Sequence, residues 1–149
     1  MEDNMEELIN ALKVVQADHY AVYFKAHGYH WNTEGKGFPM YHDFYAMISD
    51  DVYGAIDGIA ENIRKLGAYA PFKMSRFMEM TTVPETEVGP SCEAMNTDLL
   101  MAINQVIVTV NRAFDLATAA KEQGIADDLA ARDGMLKKWR WQLQASLKD

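Results

Sequence analysis

One helix-length segment carries side chains that could bind a metal ion. On a helical wheel, His42, Asp57 and Glu61 lie on one face, together with Asp50 and Tyr53. Asp57 and Glu61 are four residues apart, so their carboxylates lie one helical turn apart and can converge on one ion. The apolar residues of this segment lie on the opposite side, so the polar face points away from the chain's own core.

The chemistry that this set could support is the coordination of a transition-metal ion. Imidazole nitrogens and carboxylate oxygens suit iron, zinc or manganese rather than copper held by thiolates. A second histidine, His30, lies close before a short turn that brings it near His42. Because the face points outward, such a site would have to be closed by another subunit. The alternative is a solvated helix face, although the mixture of His, Asp, Tyr and Glu differs from the usual Lys/Glu pairing.

Hydrophobic periodicity predicts the helices that would position these side chains. Apolar residues recur at three- and four-residue steps over four segments, which Gly and Pro residues separate. No alternating apolar and polar run is long enough to predict a strand. The sequence therefore predicts an all-α four-helix bundle, with helices over about residues 6–31, 39–66, 96–121 and 126–147. The core-facing stripe of the second helix is expected to be Phe44, Ile48, Val52, Ala55, Ile59, Ile63 and Leu66.

The connections between these helices refine the prediction. Short turns join the first helix to the second and the third to the fourth, so each pair should form an antiparallel hairpin, with Gly124 ending the third helix. Residues 67–95 separate the second and third helices, and so long a connection is uncommon without a role of its own. It can carry the chain along the full length of the bundle, and residues 72–80 could form a short helix within it. One long crossover is the connectivity of ferritin-like bundles.

The residues around the two histidines resemble the signature of a known family. The pattern is His-Trp-Asn-x-x-Gly, a second His twelve residues on, and then Asp-x-x-Ala-Glu. In this chain it reads His30-Trp31-Asn32-Thr33-Glu34-Gly35, then Phe38, His42, Asp57-Gly58-Ile59-Ala60-Glu61 and Leu66-Gly67. This pattern resembles the Dps family of mini-ferritins, the DNA-protecting proteins of starved cells. The resemblance extends over about residues 6–147 and is most specific over residues 29–67.

The resemblance implies a ferritin-like bundle with a short helix in its crossover, assembled as a dodecameric shell. It implies a ferroxidase centre between two-fold-related subunits, with His30 and His42 from one subunit and Asp57 and Glu61 from its partner as catalytic metal ligands. Iron would be the metal, with zinc or manganese as alternatives. Fe(II) would be oxidised by hydrogen peroxide or oxygen and stored as a ferric mineral, which protects against oxidative damage. Trp31 would lie beside the centre and take up stray oxidising equivalents.

One position departs from the family pattern. The family usually has Asp or Glu four residues after the second His, where this chain has Ala46. A second, weaker iron would therefore lose a ligand. Asp50, one turn further along the same face, or His27, one turn before His30, could replace it. The alternative function is a Dps-like cage with weak or no ferroxidase activity that sequesters metal or has an assembly role.

The absence of one motif separates this chain from other di-iron proteins. No Glu is followed three residues later by His, so the Glu-x-x-His motifs of full-size ferritins are absent from the sequence. His19 is interpreted as a structural residue. The single cysteine, Cys92, excludes an internal disulfide and a cysteine-based metal site.

Length and charge narrow the functional classes further. The 149 residues are enough for one domain, expected to be a single ferritin-like domain over 1–149. The chain has 22 acidic and 14 basic residues, and its net charge of −8 disfavours binding to DNA phosphates. A DNA-coating nucleoid protein is thus the least favoured function. The sequence has no run of about 18 uninterrupted apolar residues and begins with acidic residues, unlike a signal peptide. We therefore expect a cytoplasmic protein with no membrane association.

Overall fold

Four long helices and one short helix account for most of the chain. The computed structural model describes residues 2–149, with side chains from residue 4 onward. Over these residues the only strand-like pairing is a single bridge between Glu34 and Ser91. The predicted four-helix bundle with a short helix in a long crossover is confirmed. In chain order the helices are α1 (Glu2–Asn32), α2 (Phe38–Lys65), α3 (Met74–Met80), α4 (Cys92–Ala119) and α5 (Gln123–Ser146).

Contacts between the helices show why the crossover must be long. α1 packs against α2, α4 packs against α5, and α1 also packs against α4. α1 and α4 run antiparallel, because Lys25 contacts Asp98 whereas the earlier Asp18 contacts the later Thr109. α2 and α4 therefore run in the same direction. The chain between them has to return along the length of the bundle, as the sequence predicted.

Local hydrogen bonds decide where the helices begin and end. α2 ends at Lys65. Gly67, two residues later, has a φ of 92° that a residue without a Cβ adopts easily, and the Ala68 amide donates to the carbonyl of Ile63. α4 begins four residues earlier than predicted, because the Ser91 hydroxyl accepts a hydrogen bond from the Ala94 amide. The prediction that Gly124 ends the third helix was wrong. Lys121, with φ 60°, makes that turn, and Gly124 lies within α5.

The core is apolar and involves all four long helices. Val15, Ile48, Ile103 and Leu136 are fully buried representatives from α1, α2, α4 and α5. By length and composition α4 is apolar enough to cross a membrane, but much of its apolar surface is buried in the core. A core helix of a soluble bundle has the same composition, so this helix is weak evidence for a membrane span.

The buried stripe of α2 differs in part from the predicted one. Phe44, Ala55 and Leu66 are only half-buried. The core face of α2 also includes polar residues, which were not predicted to lie there. The Tyr45 hydroxyl donates to the Asn96 side chain at 2.6 Å, and a side chain hydrogen-bonded in this way can be buried at little cost. The buried residues of α2 are Tyr45, Ile48, Ser49, Val52, Ile56, Ile59, Asn62 and Ile63.

A buried carboxylate attaches the crossover to the bundle. Asp18 is fully buried and accepts hydrogen bonds from the Thr81 hydroxyl, from the Thr82 amide and hydroxyl, and from the Thr109 hydroxyl, at 2.7–2.9 Å. Its donors are all uncharged, so the negative charge is stabilised by hydrogen bonds rather than by an ion pair. The segment after α3 is thereby fixed to both α1 and α4.

A second, partly buried network links α2, α5 and α1. The Arg132 guanidinium binds both oxygens of Asp51 at 3.0 Å, and the Trp139 indole donates to the same carboxylate. Burial alone would raise the pKa of Asp51, but these hydrogen bonds outweigh it and hold the pKa below its usual range. Arg132 also donates through Nε to His19 Nε2, while His19 Nδ1 donates to the carbonyl of Val15. His19 is therefore a neutral ring with both nitrogens occupied, which supports the structural role inferred from the sequence.

The burial of His19 predicts a pH dependence of stability. Burial, with a smaller effect of the Arg132 charge, lowers the pKa of His19 from 6.5 to about 3. At a pH between these two values, His19 is protonated in the unfolded chain and neutral in the folded chain. The free energy of unfolding is therefore highest above pH 6.5 and decreases as the pH falls towards 3. Between pH 6.5 and 5 we expect the wild type to lose about 2 kcal/mol more free energy of unfolding than His19→Gln. Denaturant unfolding at the two pH values measures this difference.

The control for this experiment is Asn10→Gln, which replaces an exposed residue of the same helix that carries no titratable group. It should keep the pH slope of the wild type. Equal slopes in the wild type and His19→Gln would contradict the assignment of a neutral, buried His19.

Candidate metal centre

His30 and His42 meet at the end of the α1–α2 hairpin where the turn joins the two helices. His30 lies in the last turn of α1 and His42 in the first turns of α2. The two rings stack with their centroids 3.9 Å apart and their planes 19° apart. The short turn thus brings the two histidines together as the sequence predicted, although they are twelve residues apart.

Reciprocal hydrogen bonds fix the orientation of both rings. His30 Nδ1 donates to the backbone carbonyl of His42, and His42 Nδ1 donates to the backbone carbonyl of His30, each at 2.6 Å. A carbonyl can only accept, so both Nδ1 atoms carry the proton and both Nε2 atoms keep a free lone pair. A histidine bound to a metal usually has its second nitrogen held in this way. Each ring therefore has Nδ1 held by the backbone and Nε2 left for a further partner, as a candidate pair of ligands requires.

Two glycines in the turn between the helices allow the backbone to bring the two histidines together. Gly35 and Gly37 have φ values of 101° and 82°, which residues with a Cβ rarely adopt. The Glu34 amide donates to the carbonyl of Pro90 at 2.9 Å, so the turn is tied to the end of the crossover. Phe38 stacks on His42 with a centroid separation of 5.1 Å. Gly35 and Gly37 thus allow the turn that places His30 beside His42.

Asp57 and Glu61 form a separate half-site on the same hairpin. Both are exposed and lie one turn apart on the outward face of α2, as the helical wheel predicted. They follow His42 by fifteen and nineteen residues, which is roughly 22–28 Å along a helix that rises 1.5 Å per residue. Within the described part of one chain, no three His, Cys, Asp or Glu side chains are grouped to hold a metal ion. One protomer therefore offers two imidazoles at one place and two carboxylates at another.

The face that carries both half-sites also exposes large apolar side chains. Trp31 is 64% exposed, and Phe24, Met47 and Tyr53 are more than half exposed. Exposed apolar residues clustered between polar ones are typical of a protein–protein interface. A second protein chain on this face would cover both half-sites.

The residues considered as substitutes for the missing acid differ in position. Asp50 is exposed on α2, whereas His27 is half-buried on α1, between the rings of Tyr23 and Trp31. The sequence did not identify the Nδ1 partners of His30 and His42, because backbone carbonyls have no residue signature. Nor did it indicate the contact between Tyr23 and Tyr53, whose rings lie 4.9 Å apart across the hairpin.

Comparison with protein families and known proteins identifies the family of this fold. The family model described as a ferritin-like domain matches residues 9–149. A protein of Brevibacillus brevis named "DNA protection during starvation protein" is 26% identical over 149 residues, covering 99% of this chain and 100% of that protein. A protein of the same name from Porphyromonas gingivalis is 29% identical over 147 residues, covering 97% of this chain and 91% of that protein.

Solved structures give the same result for the fold. The crystal structure of a Dps protein from Vibrio cholerae O1 superposes with a TM-score of 0.93 at 25% identity, covering 98% of this chain and 92% of that chain. It is described as a member of a broad superfamily of ferritin-like diiron-carboxylate proteins. Together with the family match and the named relatives, this similarity shows that the chain belongs to the Dps family of ferritin-like proteins.

Proposed function

We propose that this protein is an iron-storage and detoxification cage, in which a single ferritin-like domain over 1–149 repeats as twelve subunits. Its ferroxidase centres lie between two-fold-related copies. Each centre combines His30 and His42 of one subunit with Asp57 and Glu61 of the partner subunit. Fe(II) is oxidised there by hydrogen peroxide or oxygen and is stored inside the cage as ferric mineral. The protein acts in the cytoplasm and limits oxidative damage.

The observation that carries this proposal is the division of the ligands into two half-sites on one exposed face. A two-fold axis makes an interface in which the same patch is used by both copies. If two hairpins face each other in opposite directions, each histidine pair meets the other subunit's carboxylate pair. One interface then completes two equivalent centres. The exposed apolar residues between the half-sites supply surface for that contact.

The ligand set suits the proposed substrate. Two neutral imidazoles and two carboxylates balance the charge of a divalent cation. Nitrogen and oxygen donors of this kind suit iron, and zinc or manganese would compete for the same position. The free Nε2 atoms are held by the reciprocal hydrogen bonds, so little side-chain entropy is lost when the ion binds.

The oxidation of Fe(II) by hydrogen peroxide needs no further co-reactant. Two Fe(II) ions each give up one electron, and hydrogen peroxide accepts both and is reduced to water. Hydrolysis of the ferric product releases protons and forms the oxyhydroxide mineral. His30, His42 and the partner subunit's carboxylates bind and position the ions, and Trp31 lies close enough to accept a one-electron oxidising equivalent that escapes.

Protection of DNA does not require direct binding in this proposal. The relatives are named for DNA protection, but the net charge of this chain is −8, and twelve copies would repel a polyanion strongly. Removing Fe(II) and peroxide together prevents radical damage to nucleic acid at a distance. We therefore assign protection to the chemistry of the cage and not to coating of the DNA.

The carboxylate half-site gives the first functional prediction. Replacing both Asp57 and Glu61 with Ala removes the anionic ligands from every centre, and we expect rapid Fe(II) oxidation by added peroxide to fall at least about a hundredfold. Because the exposed apolar side chains of the same face, among them Phe24, Met47 and Tyr53, supply the contact surface and are unchanged, the cage should still assemble. Stopped-flow absorbance of ferric formation and size-exclusion chromatography measure the two properties.

The control variant is Asp50→Asn, which changes an exposed carboxyl on the same face of α2. It should oxidise Fe(II) at the wild-type rate. Unchanged oxidation in the Asp57/Glu61 double variant would contradict the site. A wild-type cage that oxidises Fe(II) no faster than a protein-free solution would instead favour the sequestration function that Ala46 suggests.

The acidic surface gives a second prediction. In a gel-shift assay at low salt without Mg²⁺, the purified cage should leave linear double-stranded DNA unshifted even at micromolar protein. In the same preparation, peroxide and Fe(II) should nick plasmid DNA less when the cage is present. A salt-sensitive shift without Mg²⁺ would contradict protection at a distance and would favour the DNA-coating function.

A further inference from the structure

The position of the missing acid can be located from the pairing of the two helices. Across the antiparallel α1–α2 hairpin, His30 contacts His42, and further from the turn Tyr23 contacts Tyr53. Moving back one turn on α1 and forward one turn on α2 from the histidine pair leads to His27 and Ala46. These two residues therefore lie opposite each other, between two observed contacts.

The ring of His27 continues the row formed by the other two imidazoles. Its centroid lies 6.0 Å from that of His30, with the planes only 16° apart, and His30 in turn stacks on His42. Over the described residues, the His27 ring has no hydrogen-bond partner within the protomer. It is held between Tyr23 and Trp31, at centroid distances of 5.3 and 4.2 Å. An oriented imidazole without a partner thus stands next to the space that a longer side chain at position 46 would occupy.

We propose that His27 is the third imidazole of the centre and binds the second metal ion, in place of the carboxylate that Ala46 lacks. This inference rests on the proposed function, because it needs the partner subunit's carboxylates to complete the site. Asp50 does not fill this role, since it lies a further turn along α2, beyond Ala46 and away from the histidine pair. The small side chain of Ala46 leaves room for the ring of His27 to reach the ion.

The exchange of a carboxylate for an imidazole alters which metals the second position prefers. Imidazole favours zinc, copper, nickel and iron, whereas a carboxylate suits manganese and magnesium better. A neutral ligand also leaves one more positive charge on the loaded centre than a carboxylate would. The centre should therefore hold Zn(II) at its weaker position more tightly, relative to Mn(II), than a centre with an acid at position 46.

Anaerobic titration of the assembled cage with Co(II), followed by visible absorption and equilibrium dialysis, tests the assignment without any oxidation step. We expect two ions per chain in the wild type. His27→Gln should retain one tightly bound ion and hold the second at least about tenfold more weakly. His27→Gln/Ala46→Asp should recover the second ion and shift the competition at that position from Zn(II) towards Mn(II). Asp50→Asn should bind two ions as the wild type does.

Three results would overturn the role of His27. They are an unchanged second site in His27→Gln, loss of the second ion in Asp50→Asn, and a wild type that saturates at one ion per chain. Each of these leaves the proposed centre standing with a different or absent second ligand. A wild-type cage that binds no Co(II) would overturn the centre itself, so the two failures are distinguishable. Size-exclusion chromatography of each variant shows that the cage used in the titration is intact.

Discussion

Two hydrogen bonds, each from a histidine ring to the backbone carbonyl of the other histidine, determine the geometry of the candidate centre. They hold His30 and His42 stacked, with both Nε2 lone pairs free. This requires the last turn of α1 and the first turns of α2 to approach closely, which the left-handed Gly35 and Gly37 permit. The same turn is tied to the end of the crossover through Glu34 and Pro90. The site therefore depends on a hairpin whose ends are fixed by the rest of the bundle.

Hydrogen-bonded charged side chains favour one packing of that bundle over its alternatives. Asp18 accepts hydrogen bonds from the crossover and from α4. Arg132 donates to both Asp51 and His19 and so links α5 to α2 and α1. A carboxylate or guanidinium in the core is costly unless each of its polar atoms has a partner, so alternative packings that break these contacts are strongly disfavoured. The long crossover is consequently held in one path, and α2 keeps its polar face outward.

Much of this arrangement could be predicted from the sequence, because helical periodicity reports which face of a helix is buried. The outward position of Asp57 and Glu61 and the proximity of His30 to His42 followed from spacing and from one short turn. The hydrogen-bond partners of the histidines could not be predicted, since they are backbone carbonyls. The burial of Tyr45 and Asn62 was also missed, because polar side chains enter a core only where distant partners satisfy them, and those partners lie on other helices.

In the proposed centre, the histidines of one chain combine with the carboxylates of another. Anomalous X-ray diffraction from crystals soaked in Zn(II) tests it directly, because the signal locates the metal independently of any activity. We expect a peak about 2 Å from Nε2 of both His30 and His42, and equally close to Asp57 and Glu61 of the partner subunit. A metal bound to the histidines with no partner carboxylate near it, or to the carboxylates alone, would contradict a shared centre.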